Sequence, residues 1–299
     1  MVAAATMTGV VLMSAIWHYA NTGFAADEPA TSWNQVVRPD TAATGSTSPS
    51  GSVPTSAGRD RSSPSDAATT AEGTAQAATG PQVPDVLKAN AIYGSVITGA
   101  CPPVTTPTTA DDARAALSAY VDCMNSVWGP VLDSVGTRFR PAGISFYVGT
   151  VVPACTTLNP TDPVSATYCP IDATIYVSPS GVSSTMGSRF FGSELVTHEY
   201  AHHVQSLSQI LAAAGEQGWS DNEYSRRVQL QAHCLSFAVL THVGGFAPDV
   251  SAFRMGWQAT PGNATYGSTA SIQYWGEKGL SATTVGACDT FSVSPDLVA

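Results

Sequence analysis

His198-Glu199-Tyr200-Ala201-His202 reads H-E-x-x-H. Two histidines four apart on a helix lie on one face, one above the other. Both imidazoles therefore reach one metal ion, and Glu199 stands beside them. Zinc suits this set, because it accepts neutral imidazole and in catalytic sites holds three protein groups and a water. It lowers the pKa of that water from about 15.7 to roughly 7. A neighbouring carboxylate then takes the proton and passes it to a leaving amine. The pattern points to metal-assisted amide hydrolysis.

The flanks support a helix. Ser193-Glu194-Leu195-Val196-Thr197 enters the motif without a breaker. Val204, Leu207, Ile210 and Leu211 continue an apolar stripe of period 3.6. Gly215 and Gly218 then punctuate the end. One amphipathic helix is predicted over 193–214.

Around it the pattern predicts an α+β domain, mainly helical with a small β-sheet. Asp111–Val135 reads as a helix that Pro130 kinks or restarts. Ile144–Val148 and Ala173–Val177 read as strands, joined through a loop rich in Pro and Cys. Asp221–Val243 reads as a buried helix, capped by Ser220 or Asp221 and ended by Gly244-Gly245. Ser268–Gly279 reads as a last helix.

All six cysteines (Cys101, Cys123, Cys155, Cys169, Cys234 and Cys288) fall in this domain. An even count in an exported chain indicates disulfides. Sequence alone does not separate the connectivities. The shortest loops favour 101–123 and 155–169, which leaves 234–288. A rival reading makes Cys234 a metal ligand.

The chain has 299 residues and a net charge of −10, with only 11% charged residues, against roughly 25% in ordinary domains. Nothing here can neutralise many phosphates, so nucleic acid is excluded as a partner. Residues 1–26 read as a signal peptide or membrane anchor, without a positively charged start. Residues 27–83 are a Ser-, Thr-, Ala- and Pro-rich linker. It has too little apolar surface to offset its conformational entropy. The folded domain is placed at 84–295. The expected location is secreted or in the cell envelope, outside the cytoplasmic membrane, with an N-terminal tether as one option.

A third metal ligand must come from another segment, and helix 221–243 is the natural source. On it Gln229 and His233 are four apart and share a face. Asp172 and Glu194 are candidate acceptors for a ligand N–H, or surface groups. His203 points about 100° away from His202 and reads as a packing histidine.

Five blocks in order carry a resemblance. They are Tyr168-Cys169-Pro170-Ile171-Asp172-Ala173-Thr174-Ile175-Tyr176, His198-Glu199-Tyr200-Ala201-His202-His203-Val204-Gln205, Gln229-Leu230-Gln231-Ala232-His233-Cys234, Tyr266-Gly267-Ser268-Thr269-Ala270 and Cys288-Asp289-Thr290-Phe291. Over roughly 115–292 the chain resembles the bacterial neutral zinc metallopeptidase family, whose motif is H-E-x-x-H-H-V-Q. The resemblance implies a zincin-like, disulfide-braced domain acting on a peptide or protein substrate through zinc. His198 and His202 would hold the metal and Glu199 would be the general base.

This sequence departs from the family where the third ligand is expected. Gln229 stands in place of a glutamate that looks like that ligand, and His233 in place of an aspartate. Either His233 replaces the lost carboxylate in a three-histidine site, or it is a core histidine beside a weakened site. Tyr266 replaces a family histidine. Its phenol either donates to a developing oxyanion or packs. Two functions stay open: a zinc-dependent peptidase, or a catalytically silent extracellular binding domain.

Overall fold

A computed structural model describes residues 84–299 apart from 104 and 247. The signal or anchor and the linker expected before residue 84 lie outside the described residues. Asp85–Lys88 (α1) is followed by a 3-10 turn at Ala91–Gly94 and a two-residue strand, Gly99–Ala100 (β1). Helix Ala110–Ser134 (α2) starts at a capping box. Thr109 Oγ1 accepts from Asp112 N at 3.1 Å, and the Asp112 carboxylate accepts from Thr109 N at 3.2 Å. Pro130 sits inside α2, which nevertheless runs on to Ser134. Leu117, Tyr120, Met124, Trp128 and Leu132 are buried on its inner face.

Gly143–Phe146 (β2), Ala166–Cys169 (β3) and Thr174–Val177 (β4) form a sheet in the order β2-β4-β3. β2 runs parallel to β4, and β3 antiparallel to it. The sequence reading assigned β3 to a loop. Its four residues are all buried, so no alternation marks them as a strand.

Pro179–Thr185 (α3) leads into Arg189–Leu207 (α4), the helix that carries the metal motif. The single helix expected over 193–214 is interrupted. Gln209 takes a left-handed φ of 62°, and Ile210–Gly215 (α5) continues separately. The apolar stripe runs across the break, because Ile210 and Leu211 remain buried on the far side. Asp221–His242 (α6) follows, then Val243–Gly244 (β5), which pairs parallel with β1. Val250–Ala259 (α7), unread in the sequence, and Thr269–Ser281 (α8) complete the helices used below.

α6 is the central element, packed between α4 and α8. Residues on every side of it are buried, including Tyr224, Leu230, Cys234, Phe237 and Leu240. This arrangement is why it reads apolar all round. At Gly279 of α8, a Cβ would stand 2.3 Å from the Cys234 carbonyl oxygen, so only glycine allows this approach.

The cysteines pair as 101–123, 155–169 and 234–288. Cys234 is therefore a bridge and not a metal ligand. The 234–288 bridge has help from Arg227, which is only 3% exposed. Its guanidinium meets Glu223 at 2.8 Å, donates to the Thr290 and Val293 carbonyls, and lies over the Trp219 ring. Thr290 Oγ1 donates back to the Arg227 carbonyl at 2.6 Å. The Cys288-Asp289-Thr290-Phe291 block is thus a structural latch. No described helix is long and apolar enough to cross a membrane.

Candidate metal centre

α4 begins where Ser188 Oγ accepts from Phe191 N at 3.2 Å. α6 begins where Ser220 Oγ accepts from Glu223 N at 3.3 Å. Small residues bring the two helices together, with Thr197 Oγ1 and Ser236 Oγ 2.6 Å apart. Glu194, His198 and His202 recur every fourth residue and form a ladder on α4. Gln229 and His233 form a shorter ladder on α6. The two ladders face each other.

The site divides at His198. On one side, His198 Nε2 lies 3.0 Å from Gln229 Oε1, and the Gln229 amide also lies near His202. The His198 and His202 rings are edge-on, with centroids 5.0 Å apart. On the other side, ligand atoms of Glu194, His198 and His233 all lie within 4.8 Å of one another. The structure thus brings two of the expected imidazoles, His198 and His233, into one group with Glu194, while His202 stands outside that group. The sequence reading gave Glu194 only an outer or surface role. The signal for it was its position four residues before His198.

Neighbours fix the state of each ring. Gln205 Nε2 donates to the Val228 carbonyl and to Gln231 Oε1, both at 2.9 Å. Gln205 Oε1 must therefore accept, and His202 Nδ1, at 2.8 Å, carries the proton. The His202 Nε2 lone pair is left facing the ladder. The His233 ring lies beside the Ile272 backbone, and its Nε2 is buried without a hydrogen-bond partner among the described residues. Burial lowers the pKa of all three histidines, to about 4 for His233. They are neutral, the form that binds a metal.

The carboxyls are pushed the other way. Burial raises Glu194 to about 7. Burial also raises Glu199 to about 8, against the Tyr168 N–H that donates to its Oε2 at 2.8 Å. A cation held among them would reverse that shift. The donor set of neutral imidazoles, a carboxylate and an orphaned ring nitrogen fits zinc chemistry. Tyr266 lies close enough to feel both Glu199 and Glu194, which with burial push its phenol up.

Beside the group opens a largely apolar cavity. Glu194, His198, Gln229 and His233 line its polar wall, and Phe190, Phe253 and Trp257 are among its apolar lining. Tyr266 lines it as well, while His202 does not.

His203 serves packing. His203 is fully buried, with Nδ1 2.8 Å from the Tyr168 hydroxyl and Nε2 2.7 Å from the Arg140 carbonyl. The carbonyl can only accept, so Nε2 carries the proton. Asp172 accepts from Tyr176 Oη and Thr174 N, which ties it to the β3–β4 turn.

Residues 100–244 match the family described as "Putative neutral zinc metallopeptidase". That stretch is similar to the family that the motif blocks resemble, and the family implies zinc. An uncharacterized protein of Mycobacterium tuberculosis and one of Mycobacterium bovis are each 29% identical over 208 residues. Each match covers 57% of this chain and 68% of the relative. No solved structure matches the chain.

Proposed function

We propose that the chain is a zinc-dependent peptidase working outside the cytoplasm. The observation that carries this reading is the group of Glu194, His198 and His233 in the wall of an apolar cavity, within a zinc peptidase family stretch. Three disulfides support an oxidising compartment.

Zinc, when bound, supplies Lewis acidity at the scissile carbonyl. Glu199 is the general base. Its Oε2 is held by the Tyr168 N–H, so Oε1 takes the proton from the attacking water and delivers it to the leaving nitrogen. Tyr266 stands on the side of both carboxyls and donates to the developing oxyanion. The apolar part of the cavity takes a bulky apolar side chain next to the scissile bond. The chain's own N-terminal segment serves as leader or tether, which exports the domain.

Gln229 favours a second reading, a silent binding domain, because a neutral amide holds His198 where the resembled family carries a carboxylate. Metal analysis and hydrolysis of a peptide library by the purified chain separate the two. One zinc per chain and cleavage that disappears in Glu199→Gln support the peptidase. A folded chain without zinc or cleavage supports the silent domain.

A further inference from the structure

We infer that the metal sits one helical turn from where the H-E-x-x-H pair would place it, held by Glu194, His198 and His233. This inference rests on the zinc reading above and assigns its ligands. Three observations converge on it.

The first is reach. Among the described residues, the only group of three His, Cys, Asp or Glu side chains whose ligand atoms all approach within 4.8 Å is Glu194, His198 and His233. The second is unmet bonding capacity. His233 Nε2 is buried and unpartnered, and an orphaned polar atom of that kind is costly. Glu194 is only 8% exposed, and its carboxylate lies beside the two rings. A buried carboxylate facing two neutral imidazoles lacks only a cation. The third is access, since all three side chains line the open cavity.

The other half of the ladder is already satisfied without a metal. Gln229 holds the His198 ring, and Gln205 holds His202. With glutamate at 229, that half would carry a carboxylate and two imidazoles, a full set for zinc. With glutamine it is a neutral hydrogen-bonded clasp. The carboxylate has in effect changed helices, from position 229 on α6 to position 194 on α4. His198 is the donor shared by both arrangements.

The test is zinc affinity of the purified full-length chain, measured by competition with a chromogenic chelator. It is paired with zinc-edge X-ray absorption to count imidazoles, and circular dichroism confirms folding. Glu194→Gln and His233→Ala should each weaken zinc binding by at least about tenfold, while His202→Ala stays within about threefold of the parent. The absorption spectrum should fit two imidazoles and a carboxylate. The double variant Glu194→Gln with Gln229→Glu should recover zinc and become dependent on His202, which covers the case in which His233→Ala misfolds. If His202→Ala loses zinc while Glu194→Gln keeps it, the shifted set is wrong and the zinc reading survives. If the folded parent binds no zinc at all, both fall.

Discussion

His198 Nε2 stands 3.0 Å from Gln229 Oε1, across the interface between the two central helices. The contact joins the first residue of the metal motif to the position where the resembled family carries a glutamate. A carboxylate there would add a negative charge beside neutral imidazoles. The amide adds none, so the pair is content without a cation. Gln229→Glu should therefore raise zinc affinity by at least about tenfold, since it adds a charged ligand to His198 and His202. Chelator competition on parent and variant checks this, and an unchanged affinity would count against the ladder geometry.

Glu199→Gln keeps the size of the side chain and an oxygen to accept from Tyr168 N–H. Zinc content and thermal melting should stay at parental levels. Peptide hydrolysis should drop by roughly 10²–10⁴-fold, the range for loss of a positioned general base. Initial rates on a substrate identified by library screening give the measurement.

His203 ties α4 to the Tyr168 hydroxyl and the Arg140 carbonyl. His203→Leu leaves both groups without this partner and should cost about 1–3 kcal/mol, read from urea unfolding. The pH sign follows from burial, which lowers the folded pKa from 6.5 to about 4. As pH falls below the unfolded value, the unfolded chain takes up a proton that the folded chain refuses. Stability present at neutral pH is therefore lost between pH 6.5 and 4, by up to about 1.4 kcal/mol per pH unit from this residue. In metal-stripped protein, the leucine variant should show a shallower loss between pH 7 and 5.

Much of the fold was legible because its signals are local. The H-E-x-x-H helix, the buried helix with its Ser220 cap and Gly244-Gly245 stop, and the short-loop disulfides follow from spacing. β3 was hidden because Ala166–Cys169 is buried on both faces and too short to show a period. The break at Gln209 was hidden because the apolar stripe crosses it unbroken. In the site, His198 and His233 were visible as ladder positions. Glu194 was seen but given a lesser role, because nothing in the sequence says which turn of α4 faces the open cavity. That is decided by how α6 and α7 pack, a property of distant segments.

Arg227 is buried against the C-terminal segment, with Glu223 as its charged partner. Arg227→Met removes the bonds to the Thr290 and Val293 carbonyls and should lower stability by roughly 3 kcal/mol. It should also make the Cys234–Cys288 bridge more accessible to reductant. Thermal melting and thiol labelling after mild reduction report the two effects.

Trp257 forms part of the apolar wall, with its ring packed edge-on to His233 and Phe237. Trp257→Ala should widen the cavity and relax the preference for the side chain next to the scissile bond. Cleavage-site profiling of parent and variant on one peptide library checks it, and an unchanged profile would place substrate binding elsewhere.

The most direct measurement is a zinc-edge anomalous difference map from crystals of the full-length chain grown with zinc. One peak is expected between α4 and α6, about 2.0–2.2 Å from a nitrogen of His198, a nitrogen of His233 and an oxygen of Glu194. Well-ordered crystals with no peak at these side chains would contradict the account.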